Sequence, residues 1–155
     1  MGKPPFSDRY FESFEVGDEF TVEDVRTITE SDVNTFAGLS ADVHPIHMSE
    51  PYAADHPVLE GRVVHGTLVF AIVSSWAAGI VLTRVSYGYD NLRFVEPVYI
   101  GDTLSIHSEV LNTVDHDEQF GKVIERYEAT NQNDETVLVA DHISLVERGA
   151  SESPP

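Results

Sequence analysis

The sequence contains no cysteine and only two lysines, Lys3 and Lys122, among its 155 residues. The absence of cysteine excludes disulfide bonds, thiolate metal sites, iron–sulfur clusters and a cysteine nucleophile. Lysine and arginine together number 9 against 27 acidic residues, which leaves a formal net charge of -18. Because a phosphate backbone is bound by basic surfaces, this charge argues against DNA or RNA as a partner.

Long apolar runs are also lacking. The longest extends from Leu68 to Leu82, which is 15 residues and includes two serines and a glycine. A helix that spans a bilayer needs about 20 predominantly apolar residues. The first twenty residues have no apolar segment of the kind found in secretory signals. We therefore expect a cytoplasmic protein without a membrane partner.

The acidic residues are scattered from Glu12 to Glu152 without a long acidic run. A surface that repels itself this strongly destabilises the compact state unless salt screens it. Our hypothesis is a halophilic protein from a salt-rich cytoplasm. The alternative is an ordinary acidic mesophilic enzyme, and salt-dependent stability would separate the two.

One domain is expected over residues 9–148, since no repeat, linker or change in composition divides this range. The ends at 1–8 and 149–155 have the composition of flexible tails. Thr29 and Asp32 match a helix capping box, which predicts a helix from Glu30 to Ala37. Residues 39–48 are expected to form a loop.

A second, longer helix is predicted to begin near Gly66. It is apolar nearly all round, so we expect the rest of the protein to enclose it, Trp76 included. Strand-like segments follow and are separated by short turns, which favours antiparallel hairpins. They occupy residues 84–98, 102–114, 120–132 and 136–146. With an N-terminal strand near Phe20, the prediction is an α+β fold in which about five antiparallel strands wrap around one apolar helix.

The densest polar group in an apolar neighbourhood lies in the loop that contains Asp42, His44, Pro45 and His47. Pro45 stiffens this loop, so the carboxylate of Asp42 and the imidazole of His47 can face the same side. Such a pair can hold one water between them and move protons near neutral pH. Without further context, a loop aspartate that binds backbone groups over a packed histidine is the alternative interpretation.

Gly66 offers the second element of a site. The first N–H groups of a helix have no partner within the helix and lie at the positive end of its dipole. A glycine there allows a ligand to approach the backbone, which suits an oxygen that gains negative charge. Every helix has such a start, so this signal alone is weak.

Three segments together resemble the MaoC-like, or (R)-specific enoyl-CoA hydratase, family. They are residues 36–47 (FAGLSADVHPIH), 64–66 (VHG) and 94–102 (FVEPVYIGD), and the resemblance extends from about Tyr10 to Val146. It implies the hot-dog fold and the reversible hydration of trans-2-enoyl-CoA to (R)-3-hydroxyacyl-CoA. No metal and no cofactor are implied beyond the coenzyme A of the substrate.

By position, the resemblance makes Asp42 and His47 the catalytic pair and the backbone N–H of Gly66 the oxyanion donor. Ser74 matches a hydroxyl that lies near the pair in the family, although a small polar residue for close packing is an equal reading. The family usually has asparagine where this chain has His44. The resemblance also implies a homodimer or higher homo-oligomer with an acyl-CoA thioester as its ligand.

Two other functions stay open. A hot-dog acyl-CoA thioesterase would release free coenzyme A, and a non-catalytic acyl-CoA-binding subunit would bind without turnover.

A metal site is disfavoured because neither cysteine nor an HExxH motif is present. Arg62, Arg84 and Arg93 are candidate ligands of the coenzyme A phosphates. The remaining histidines are expected at the surface; they are His56, His107, His116 and His142.

Overall fold

A computed structural model describes residues 8–79 and 81–149 of the chain. Most of the expected tails, at 1–8 and 149–155, therefore lies outside the described residues. After a short 3-10 turn at Phe11–Ser13, the described residues form five strands and four α-helices. In chain order these are β1 (Glu19–Thr27), α1 (Glu30–Ser40), α2 (Pro45–Met48), α3 (Glu50–Ala54), α4 (Gly66–Ala78), β2 (Arg84–Phe94), β3 (Thr103–Asp115), β4 (Phe120–Thr130) and β5 (Thr136–Glu147).

The strands form one antiparallel sheet in the order β1-β3-β4-β5-β2. The predicted fold class and the hairpins β3–β4 and β4–β5 are confirmed. The expected hairpin between β2 and β3 is wrong, because β2 pairs with β5 at one edge while β3 lies between β1 and β4. The connection 95–102 therefore passes from one side of the sheet to the other rather than turning back on itself.

The predicted capping box at the start of α1 is present. Thr29 Oγ1 accepts from the backbone N–H of Asp32 at 3.2 Å, and Asp32 Oδ2 accepts from the N–H of Thr29 at 2.8 Å. The helix continues to Ser40 rather than ending at Ala37. The predicted loop 39–48 also contains the short helix α2, because Pro45 takes a first-turn position where its missing N–H costs nothing.

The helix α4 starts at Gly66 as predicted and packs against β3 and β4 of the sheet. Its buried stripe is Val69, Val73 and Ala77, which are four residues apart and join the main hydrophobic core. The expectation that the whole helix is enclosed is wrong, since Trp76 is 46% exposed. One sheet covers one side of a helix, so the opposite side remains open in a single chain.

Some polar side chains of the sheet are buried. His142 is one of them, so its predicted position at the surface is wrong. Its side chain is 1% exposed and hydrogen-bonded to the hydroxyls of Tyr127, at 2.6 Å, and Ser86, at 3.0 Å. Arg84 and Glu125 form an ion pair at 2.8 Å with side chains only 5% and 9% exposed. This burial removes Arg84 from the candidate ligands of a phosphate.

Over the part of the chain that the structure describes, no helix reaches the length and apolar character needed to cross a bilayer.

Candidate active site

Asp42 lies just after the end of α1, where the chain changes direction. Ala41 has a left-handed backbone conformation, with φ of 60°, and so ends the helix. The hydroxyl of Ser40 then accepts a hydrogen bond from the N–H of Asp42 at 3.2 Å. The Asp42 side chain is 49% exposed and therefore accessible to ligands.

His47 belongs to α2, which begins immediately after this turn. His44 caps the helix, because its Nδ1 accepts from the N–H of Ile46 at 3.2 Å. His47 follows within one turn and is buried. Its Nδ1 lies 2.6 Å from the carbonyl oxygen of Val63. A carbonyl can only accept, so Nδ1 of His47 carries the proton and Nε2 is left as the basic nitrogen.

The two groups face each other. Oδ2 of Asp42 lies 3.8 Å from Nε2 of His47. This gap is too long for a direct hydrogen bond, but one water can lie at hydrogen-bond distance from both atoms. The pair therefore has the geometry for moving protons to and from a bound water.

Burial favours the neutral form of His47. Removal from water lowers the pKa of His47 below its ordinary value of 6.5. The hydrogen bond to Val63 and the charge of Asp42 act in the opposite direction but do not reverse this shift. At pH 7 the imidazole is thus neutral and its Nε2 can accept a proton.

A cavity of about 380 Å³ opens beside this pair and is lined by His47, Gly66, Val69 and Phe94, among others. Gly66 is the first residue of α4, so its N–H has no partner within the helix. The ring of Phe94 covers Gly66 so closely that a Cβ at this position would lie 2.9 Å from three ring carbons. Only a residue without a side chain fits here unless the ring moves.

The structure thus places His47 and Gly66 in the wall of one cavity. Asp42 is not among the lining residues but faces His47 at 3.8 Å. Ser74 is not among the described residues that line the cavity either. The Ser74 hydroxyl instead donates to the carbonyl of Ala71 at 3.1 Å, within its own helix. The role of Ser74 near Asp42 and His47 stays a prediction.

Two groups that sequence reasoning missed hold α2 in place. One is the Val63 carbonyl, and a backbone acceptor has no signal in the sequence. The other is Arg62, whose Nε donates to the carbonyl of His47 at 2.8 Å while its Nη1 pairs with Glu30 at 2.8 Å. Arg62 is therefore engaged within the protein, and Arg93 is the exposed member of the three phosphate candidates.

Two groups of side chains come close enough to suggest a metal. Asp42, His47 and His65 each place one potential ligand atom within 4.8 Å of the others, and so do Glu19, His107 and Glu109, of which only Glu19 is exposed. In the first group the two imidazole planes are within 25° of parallel and 3.9 Å apart. The lone pairs of stacked rings run side by side and do not converge on one ion. The geometry is better suited to proton transfer than to metal binding.

Comparison of the sequence with known proteins finds one matching family and several relatives. The family model of the MaoC like domain matches residues 12–133. Protein MaoC of Klebsiella aerogenes is 38% identical over 100 residues, which are 63% of this chain and 29% of that protein. The (R)-specific enoyl-CoA hydratase of Rhodospirillum rubrum is 37% identical over 101 residues, which are 62% of this chain and 65% of that enzyme. The chain spans less than two thirds of the length of either relative.

Solved structures of related proteins have a similar fold. The unliganded R-hydratase from Pseudomonas aeruginosa has a TM-score of 0.75 and 27% identity, with 94% of each chain covered. The five-stranded antiparallel sheet and its central helix are the hot-dog fold. The fold is therefore that of a hot-dog protein, and Asp42 and His47 face each other across 3.8 Å in it. The chain belongs to the MaoC-like family of hydratases and dehydratases.

Proposed function

We propose that this protein is a hydro-lyase that adds water reversibly to trans-2-enoyl-CoA thioesters to give (R)-3-hydroxyacyl-CoA. The observation that carries the proposal is the 3.8 Å gap between Asp42 and His47, since His47 and Gly66 line the same cavity. The name of the Rhodospirillum rubrum relative, an (R)-specific enoyl-CoA hydratase, supports the same reaction.

The proposed reaction uses the pair twice. Asp42 and His47 hold a water, and His47 Nε2 takes one proton as the water oxygen bonds to C3 of the substrate. The electrons of the C2–C3 double bond move toward the thioester carbonyl, whose oxygen gains negative charge next to the Gly66 N–H. C2 then takes a proton from the pair, so that one water is consumed and the site returns to its starting state. No cofactor is needed for this balance.

The cavity supports an acyl thioester as the ligand. Its walls are mostly apolar, which suits the hydrocarbon part of an enoyl chain, and they include Val64, Val69, Val98 and Val137.

Arg93 is exposed on β2 and is the remaining candidate of the three arginines for binding a coenzyme A phosphate. Arg93→Gln is expected to raise KM for the thioester without lowering kcat.

The direct test follows the loss of crotonyl-CoA absorbance in high salt with wild type and Asp42→Asn. General acid–base catalysis contributes about 10²–10⁴-fold, so the variant is expected to lose activity in this range. Asp55→Asn is the matched control, because Asp55 is an exposed acid at the end of α3. An active Asp42→Asn would remove Asp42 from the mechanism, and no wild-type hydration at any chain length would refute the proposal.

The same assay decides between the alternative functions. Release of free coenzyme A thiol without hydration would indicate a thioesterase. Tight binding of acyl-CoA without any turnover would indicate a non-catalytic subunit.

We also propose that the chain assembles as a homodimer or higher homo-oligomer through β2. This strand is an edge of the sheet, so one side of its backbone has no partner strand among the described residues. It exposes large apolar side chains at Val85, Tyr87 and Phe94, which are 60%, 62% and 51% exposed. On the other edge, β1, the apolar side chains of Phe20, Val22 and Val25 are all half-buried. Light scattering in molar salt is expected to give at least twice the monomer mass.

A further inference from the structure

His65 contacts both Asp42 and His47 but has no part in the proposed reaction. Its ring is 1% exposed and lies between α1 and α2. Nε2 of His65 lies 2.8 Å from the backbone carbonyl oxygen of Asp42. One face of the ring stacks on His47, with centroids 3.9 Å apart and planes at 25°, and Phe36 contacts it at a centroid distance of 5.0 Å.

The orientation of this ring depends on one hydrogen bond. Since a carbonyl oxygen only accepts, Nε2 of His65 carries the proton and donates it to Asp42. Nδ1 of His65 is buried and has no hydrogen-bond partner among the described residues. The bond to Asp42 is therefore the polar contact that fixes the ring, while His47 and Phe36 fix its plane.

The backbone of His65 is equally constrained. It is the N-cap residue of α4, and its carbonyl accepts from the N–H groups of Leu68, at 3.0 Å, and Val69, at 3.1 Å. The next residue is Gly66, which provides the N–H for the thioester oxygen. One residue thus links the loop that carries Asp42 to the helix start that carries the oxyanion donor.

We propose that His65 is a positioning residue that sets the distance between Asp42 and His47. Its N–H holds the Asp42 backbone from one side, and its ring face supports the His47 imidazole from the other. The inference rests on the proposed function for its kinetic consequence, but the distance itself can be measured without activity.

Two substitutions separate the contributions of the ring. His65→Phe keeps a stacking ring but removes the N–H donor, whereas His65→Gln restores an N–H donor near the position of Nε2 without the ring. A displacement of about 1 Å can lower the rate about a hundredfold, so His65→Phe is expected to lose kcat on this scale with KM nearly unchanged. His65→Gln is expected to recover at least tenfold of that loss.

A double-mutant cycle tests whether His65 acts through Asp42. If it does, His65→Phe in the Asp42→Asn background causes little further loss of kcat, because the group that it positions is already disabled. Multiplicative losses would overturn the proposal, as would an unchanged kcat in His65→Phe. Tyr127→Phe is the control for the loss of a buried polar group, since it removes the buried hydroxyl that contacts His142. Its kcat is expected to match wild type.

Crystal structures of wild type and His65→Phe make the outcome independent of turnover. The Asp42 Oδ2 to His47 Nε2 distance is expected to exceed the wild-type value of 3.8 Å by about 1 Å in the variant. An unchanged distance would refute the positioning role. An inactive wild type with a widened gap in the variant would instead refute the proposed hydration while leaving the positioning role supported.

Discussion

At the scale of single residues, the chemistry depends on which nitrogen of His47 carries a proton. The Val63 carbonyl holds the proton on Nδ1 and leaves Nε2 facing Asp42. That Asp42 and His47 face each other could be predicted from residue types in a proline-stiffened loop, whereas their catalytic role is implied only by the resemblance to the family. The Val63 carbonyl and the support from His65 could not, because one is a backbone group and the other depends on the packing of distant segments.

The pH dependence of activity follows from His47. Because burial lowers its pKa below 6.5, the neutral base persists to lower pH than for a free histidine. We expect kcat/KM to fall on the acidic side with a midpoint below pH 6.5. The pH profile for crotonyl-CoA hydration measures this. A midpoint above pH 6.5 would contradict the assigned environment.

Gly66 provides a steric prediction at the same scale. The Cβ of Gly66→Ala would lie 2.9 Å from the Phe94 ring, so the ring must swing away from its present place in the wall of the cavity. We expect a rise in KM of about tenfold, equivalent to about 1.4 kcal/mol of lost binding. Gly38→Ala is the matched control, since a Cβ there meets no atom within 4 Å. An unchanged KM in Gly66→Ala would show that the substrate does not approach this residue.

At the scale of secondary structure, local signals were reliable and long-range pairing was not. The capping box of α1, the start of α4 and two hairpins follow from adjacent residues. The pairing of β2 with β5 does not follow from adjacent residues, because the turn residues between β2 and β3 do not show whether the chain turns back or crosses to the other side of the sheet. The burial of His142 has the same cause: its neighbours come from β2 and β4, which flank β5 in the sheet.

The buried His142 predicts how the sheet responds to acid. Burial lowers the pKa of His142 from 6.5 to about 4, so the unfolded chain binds this proton more tightly than the folded one. The contribution of neutral His142 to the free energy of unfolding is fully present above pH 6.5. It is lost as the pH falls from 6.5 to about 4. The shift corresponds to about 3 kcal/mol of unfolding free energy at the acidic end of this window.

Urea unfolding at pH 7 and pH 5 tests this statement. Wild type is expected to lose stability between the two values, and His142→Gln is expected to be less stable at pH 7 but to lose much less on acidification. An equal loss in both proteins would show that His142 does not cause the acid sensitivity.

At the scale of the whole molecule, the dominant feature is a net charge of -18 on 155 residues. Self-repulsion of this size is reduced when the Debye length shrinks from about 10 Å at 0.1 M salt to about 3 Å at 1 M. We propose that the protein is adapted to high salt. Its melting temperature is expected to rise by at least about 5 °C between 0.1 M and 2 M KCl, or about 1–2 kcal/mol for a chain of this size.

Sucrose at matched osmolality is the control for this measurement, since it is excluded from protein surfaces but does not screen charge. A gain in KCl that clearly exceeds the gain in sucrose supports charge screening. Equal gains, or none in KCl, would argue for an ordinary acidic protein.

In the proposed mechanism, a water between Asp42 and His47 meets an unsaturated thioester held by the N–H of Gly66. A crystal structure of Asp42→Asn with crotonyl-CoA tests it most directly. We predict the thioester oxygen within hydrogen-bond distance of the Gly66 N–H and C3 of the substrate facing Asn at 42 and His47. A crotonyl group bound elsewhere, or one whose C3 points away from His47, would contradict the proposed mechanism.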